Sequence, residues 1–167
     1  MSEDKQINIK LADFGWSNMK DKNRETYCGT PDYLSPEMIK GTAHDESIDI
    51  WAIGILTFEL LAGRAPFTPG IAGNPGGEAK SQMEKMKFLE SNIMRGDIKM
   101  PRDIPIEAQN LITMLLSPDP KLRPRTSDIL KDPWFSKHNL YPKKLEKQLI
   151  QINELNTANI LTNGSNK

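Results

Sequence analysis

Four short patterns hold the residues that could do chemistry. Asp13-Phe14-Gly15 comes first, then Gly29-Thr30-Pro31-Asp32-Tyr33-Leu34-Ser35-Pro36-Glu37, then Asp49-x-Trp51-x-x-Gly54, and last Arg123-Pro124. Between the first two, Arg24-x-Thr26 sets a cation two residues before a hydroxyl. A carboxylate such as Asp13 is a hard oxygen ligand suited to hard divalent cations. A hydroxyl such as Thr26 can carry a phosphate, which adds about two negative charges. Taken singly, each residue also has a plain structural role. Asp13 in Asp-x-Gly can shape a turn, Thr26 can be an ordinary exposed threonine, Thr30 can bond local backbone, and Asp49 can stabilise a helix start. Cys28 and His44 lack the spacing of metal ligands. With a single cysteine in the sequence, no intramolecular disulfide can form.

The elements that must position these residues follow from periodicity. Ile7, Ile9 and Leu11 alternate with Asn8, Lys10 and Ala12, the pattern of a half-buried strand. It runs into Asp13-Phe14-Gly15, where glycine allows a sharp change of direction. Trp16 to Ser35 keeps no period and reads as a long loop, a length that inside a compact domain points to function or disorder. From His44 to Leu61, Asp45 serves as N-cap and Gly63 as terminator. The apolar residues between them cover nearly the whole circumference, which predicts a central helix surrounded by other elements. Residues 68–80 are rich in Gly and Pro and read as a flexible insertion. Ser81 and Glu84 form a capping box opening an amphipathic helix with Met83, Met86, Leu89, Ile93 and Met94, stopped by Gly96. Glu107 to Leu116 and Thr126 to Lys131 are further helices. Leu145, Leu149 and Ile152 mark one more, over 143–155, whose stripe reads as a dock for the same domain. One strand and five or six helices make an all-α domain or the helical part of a larger α+β one.

Composition excludes other classes. The 167 residues suit one compact domain. Twenty-two basic residues balance 22 acidic ones, so no global basic excess is available for nucleic acid. The acidic, polar start is not a secretory signal. The longest apolar stretch, Ile48 to Leu61, contains Asp49 and Glu59 and is too short to span a bilayer. These features describe a soluble intracellular chain.

In order and together, the four patterns resemble the C-terminal lobe of a protein kinase, from about Ile7 to Phe135. The residues Asp13 to Ser17, the Arg24–Thr30 run and the Asp32–Met38 run resemble Aurora kinases, although Pro31 stands where those have leucine. The resemblance implies a mainly α kinase-like C-lobe fragment, with a short N-terminal strand or hairpin remnant and a buried central helix. Residues 1–135 would be a partial kinase domain, with an activation segment at 13–37 and the insertion at 68–80; 136–167 would be a C-terminal extension. It implies transfer of the ATP γ-phosphate to Ser or Thr, with ATP and Mg²⁺ as cofactors. Asp13 would hold Mg²⁺ and act in catalysis, Phe14 and Ala12 would border the nucleotide, and Thr30 would bond the catalytic aspartate. Thr26 would be the activation-loop phosphosite. Glu37 and Arg123 would form a structural ion pair, and Asp49 would support the catalytic loop.

Protein substrates with basic Arg-x-Ser/Thr sites and an activating partner are implied as well, at the cytoplasm, nucleus, spindle or centrosome. The sequence contains no glycine-rich phosphate loop, no strand lysine and no His-Arg-Asp loop. The chain alone is therefore expected to be inactive and to leave an apolar patch of its central helix bare. A non-catalytic module that binds proteins through a kinase-like lobe is the competing reading.

Overall fold

A computed structural model describes residues 10–12, 30–71 and 74–137. Ile7 and Ile9 of the expected strand, Asp13, Phe14, Thr26 and the expected helix 143–155 lie outside the described residues. Lys10, Leu11 and Ala12 carry no regular secondary structure, and all three are exposed.

Among the described residues the fold is mainly helical. Helices α1 (Pro36–Ile39), α2 (Ser47–Ala62), α3 (Gln82–Arg95), α4 (Ile106–Leu115), α5 (Thr126–Ile129) and α6 (Pro133–Lys137) follow one another along the chain. Short 3-10 turns at Pro31–Tyr33 and Pro120–Leu122 precede α1 and α5. Helix α3 has the capping box: Ser81 Oγ accepts from Glu84 N–H at 3.1 Å, and Glu84 Oε2 accepts from Ser81 N–H at 3.1 Å. It ends where Gly96, at φ 66°, takes the left-handed conformation glycine adopts without strain. Helix α2 starts at Ser47, later than the sequence reading placed it. Asp45 still caps from just outside, its Oδ1 accepting the Ser47 N–H at 2.9 Å.

The core gathers on one side of α2. Trp51, Ile55 and Phe58 pack with Leu34, Phe67, Leu89, Ile93, Ile112 and Leu116. Ile50 joins a second cluster with Leu111, Leu115 and Ile129, against which Trp134 and Phe135 of α6 pack. Helix α4 crosses α2 closely at Gly54, where an added Cβ would lie 2.7 Å from Leu116 Cδ2 and 2.9 Å from Leu115 Cβ. The Gly/Pro-rich segment is pinned to this core. Asn74 Nδ2 donates to the carbonyls of Pro66 and Thr68 at 3.0 and 3.1 Å. Asn92 Nδ2 donates to those of Phe67 and Pro75 at 3.1 and 3.3 Å.

The enclosure expected for α2 is met on one face only. At about 100° per residue, the buried Ile50, Trp51, Gly54, Ile55 and Phe58 centre roughly 160° from a second row: Asp49, Ile53, Leu56 and Leu60. Ile53, Leu56 and Leu60 are 43%, 46% and 76% exposed. The run of apolar residues reads as all-round greasiness in sequence because two opposite faces are apolar, and only one of them meets the core.

Candidate functional site

Residues 30–37 reach the core through a sequence of local choices. The Thr30 carbonyl accepts the Tyr33 N–H at 2.9 Å, and the Pro31 carbonyl accepts the Leu34 N–H at 3.2 Å. Pro31 opens the 3-10 turn and Pro36 opens α1, both positions where proline's missing N–H costs nothing. Ser35 caps α1, its Oγ accepting the Met38 N–H at 3.4 Å. Thr30 is exposed, whereas Leu34, Ser35 and Glu37 are buried.

Glu37 meets Arg123 from 86 positions away. The guanidinium is held two-pronged: Nη1 donates to Oε1 at 2.6 Å and Nη2 to Oε2 at 2.8 Å, with both side chains almost fully buried. Arg123 Nη1 also donates to the Ser47 carbonyl at 3.0 Å, and Nε donates to that of Ser117 at 2.9 Å. Its guanidinium carbon lies 5.0 Å from the Trp51 ring centre, and Trp51 stacks on Phe67 at 5.7 Å. One cation thus ties segment 30–37 to the start of α2, the end of α4 and the aromatic core. Burial by itself would raise the Glu37 pKa, but the hydrogen bonds and charge of Arg123 outweigh it and hold the carboxyl below its ordinary range.

A second polar cluster flanks the segment. Tyr33 Oη donates to Glu59 Oε2 at 2.5 Å. That hydrogen bond, with burial and the charges of Glu59 and Asp32, pushes the Tyr33 phenol up to about 12. Asp32 is raised by burial and then by the charge of Glu59. Two carboxyl groups therefore share a small region beside an exposed threonine. Sequence reasoning did not single out Glu59. An acid inside the apolar run Ile48–Leu61 was the available signal, but its partner Tyr33 lies 26 positions away. Glu37 also borders an open cleft of about 340 Å³, lined further by Ala43, His44, Asp45, Ser47, Pro120 and Lys121.

The remaining sequence-selected residues are spread more widely. Asp49 is exposed on the first turn of α2, two residues beyond the Ser47 carbonyl that Arg123 holds. Ala12 is exposed and belongs to no element. Asp13, Phe14 and Thr26 lie outside the described residues; of the expected site residues, Glu37 and Arg123 are the pair brought together among the described ones. Among the described residues no three His, Cys, Asp or Glu side chains gather as a metal set. No described helix is long and apolar enough to cross a membrane.

Comparison with known proteins adds the family context. The protein kinase domain family matches residues 1–135. An Aurora kinase of Dictyostelium discoideum is 42% identical over 139 residues, covering 83% of this chain and 32% of that protein. An Aurora kinase of Saccharomyces cerevisiae is 44% identical over 129 residues, 76% of this chain and 31% of that protein. Aurora kinase B of Mus musculus is 39% identical over 130 residues, with coverages of 77% and 34%. The chain spans about a third of the length of these curated relatives.

Proposed function

Because this chain belongs to the protein kinase family and is similar to Aurora kinases, we propose that it forms the C-terminal-lobe part of a serine/threonine protein kinase. Phosphoryl transfer asks the protein mainly for positioning and charge stabilisation. In this reading residues 30–37 present the substrate, and the Glu37–Arg123 pair fixes them to the helical base. Thr30 faces the reacting groups and Asp49 props the catalytic loop. Asp13 holds Mg²⁺ on ATP, with Ala12 and Phe14 beside the nucleotide, and Thr26 is the site whose phosphate orders the segment. The observation that carries the reading is the buried two-pronged pair, which anchors segment 30–37 to the start of α2, the end of α4 and the aromatic core.

Asp32 and Glu59 favour a cationic substrate side chain. Burial and the charge of Glu59 raise the Asp32 pKa, and an arginine near both would offset that cost. This supports basic Arg-x-Ser/Thr substrates; by its similarity to Aurora kinases, the proposal includes an intracellular site of action such as the spindle or centrosome and an activating partner. The 167 residues lack a glycine-rich loop, a strand lysine and a His-Arg-Asp loop. Since a positioned base alone is worth about 10²–10⁴ in rate, the chain by itself is inactive.

The test is a fusion. The part of the Dictyostelium Aurora kinase that precedes its Asp-Phe-Gly motif is joined to this chain and offered labelled ATP, Mg²⁺ and a peptide with Arg two residues before Ser. Transfer by the fusion, its loss in Asp13→Ala, and no transfer by residues 1–167 alone are expected. A folded fusion without transfer, or equal transfer by the chain alone, would refute the reading.

A further inference from the structure

An arginine stands two residues before a hydroxyl at two places in the sequence, Arg24-x-Thr26 and Arg125-x-Ser127. The second lies among the described residues, and Arg125, Thr126 and Ser127 are all exposed. Among those residues neither the Arg125 guanidinium nor the Ser127 hydroxyl has a hydrogen-bond or ion-pair partner. Both are open to an enzyme arriving from solvent.

The backbone is half prepared for such an enzyme, which must grip the chain on both sides of the hydroxyl. Arg123 at φ −71°, ψ 138° and Arg125 at φ −73°, ψ 156° are both extended, with Pro124 between them. Helix α5 follows as a single turn. The Arg125 carbonyl accepts the Asp128 and Ile129 N–H groups at 2.9 and 3.0 Å, and the Thr126 carbonyl accepts that of Leu130 at 3.3 Å. So short a helix is marginal by itself; Ile129, clustered with Ile50, Leu111 and Leu115, is the buried side chain that holds it. Freeing Ser127 therefore takes local release of one turn and not unfolding of the domain. The modified turn can close again. Phosphate adds about two negative charges, and Ser127 stands four residues before Lys131, the favourable order for an acid and a base on a helix. Lys131 now pairs with Asp128 at 3.5 Å, with both side chains exposed.

We propose that Ser127 is a phosphorylation site for a protein kinase that selects arginine two residues before its acceptor. The Ser127 Oγ attacks the γ-phosphorus of ATP, the bond from that phosphorus to the bridging oxygen of ADP breaks, and the hydroxyl proton passes to a base of the kinase. The chain is the substrate in this step. The proposal rests on the reading of Asp32 and Glu59 only for the class of enzyme, and the fusion described above tests that reading separately.

The test uses the full chain with Thr26→Ala, which leaves Arg125-x-Ser127 as the one site of this spacing. A kinase first shown to label a synthetic peptide with Arg two residues before Ser is given the chain, labelled ATP and Mg²⁺, and the site is mapped by mass spectrometry. Phosphate on Ser127 is expected, at a rate below that of free peptide 119–133 because α5 must open. Arg125→Ala, at an exposed position, should lower the rate by about tenfold or more, and Ser127→Ala should remove the label from residues 119–133. No phosphate on Ser127 of the intact chain would overturn the proposal, and label on the free peptide alone would assign the cause to an α5 that stays shut. Label on Thr126 in place of Ser127, or a Ser127 rate that Arg125→Ala leaves unchanged, would overturn it as well.

Discussion

Replacing Arg123 by Met keeps an apolar stem and removes the charge, which isolates what the guanidinium does. Four hydrogen bonds go with it: two to Glu37, one to the Ser47 carbonyl and one to that of Ser117. The contact with Trp51 loses its cationic component. The larger effect is that Glu37, almost fully buried, keeps a charge with nothing opposite. Removing one partner of a buried pair costs about 3–5 kcal/mol, a large fraction of the roughly 5–15 kcal/mol that holds a domain folded. With a urea dependence of about 2 kcal/mol per molar, the unfolding midpoint followed by tryptophan fluorescence should fall by about 2 M.

The pH dependence separates this account from simple loss of packing. In the parent chain the folded-state Glu37 pKa is depressed. Its contribution is therefore present above the unfolded carboxylate value of about 4.3 and is lost as pH falls through the folded value. In Arg123→Met, burial remains as the dominant influence and pushes the same carboxyl above 4.3. Protonating Glu37 then relieves the isolated charge, so stability should rise as pH is lowered from about 7. Combining Glu37→Gln with Arg123→Met removes that slope and recovers part of the loss. A midpoint within about 0.3 M of the parent, or an unchanged response to acid, would refute the reasoning.

Three further perturbations probe other parts of the fold. Gly54→Ala gains about 1 kcal/mol of helix propensity, yet its Cβ would press on Leu115 Cβ, which cannot swing away. A net loss of about 1–3 kcal/mol in urea unfolding is expected. Asn92→Asp keeps the shape but points a carboxylate at the Phe67 and Pro75 carbonyls. It should cost at least about 2 kcal/mol and speed protease cleavage within 68–80. Tyr33, raised to about 12 by Glu59, contributes stability that is complete below about pH 10 and fades as pH climbs towards 12. Ultraviolet titration should show a step near pH 12 that Tyr33→Phe abolishes.

What was legible in the sequence was local. The capping box at Ser81 and Glu84, the glycine stop at Gly96 and the periods of α3 and α4 depend on neighbours three to four positions apart, and the elements formed where those signals stood. Asp45 reads as the N-cap in sequence, whereas Glu46 holds that position and Asp45 accepts the Ser47 N–H from one residue further out. What was not legible was long-range. Nothing in the Gly/Pro-rich run shows that Asn74 and Asn92 would tie it down, because their acceptors are backbone carbonyls brought close only by the fold. Glu59 was visible as an acid in an apolar run, but its pairing with Tyr33 depends on how segment 30–37 crosses α2. At the candidate site, Glu37 and Arg123 could be named from ordered motifs, while the Ser47 and Ser117 carbonyls that complete the guanidinium's bonds carry no sequence signal.

Helix α2 shows how one ambiguity of this kind becomes a physical constraint. An apolar residue is compatible with any apolar neighbour, so a sequence cannot say whether Ile53, Leu56 and Leu60 face the same core as Trp51, Ile55 and Phe58 or a different surface. The structure separates them: the two rows lie on opposite sides, and the outward row is half to three-quarters bare. Burying such side chains fully is worth about 1.5–3 kcal/mol each, and since two of the three are already about half covered, shielding the row would contribute about 3 kcal/mol. That is the same order as the Glu37–Arg123 effect. The enclosed ionic pair thus stabilises the fold as it stands, whereas the outward apolar row adds its share only when another surface covers it. Because they lie on different faces of the same helix and share no partner, their losses should add within about 0.5 kcal/mol. A strong deviation from additivity between Arg123→Met and Leu60→Ser would mean that α2 transmits strain from one face to the other.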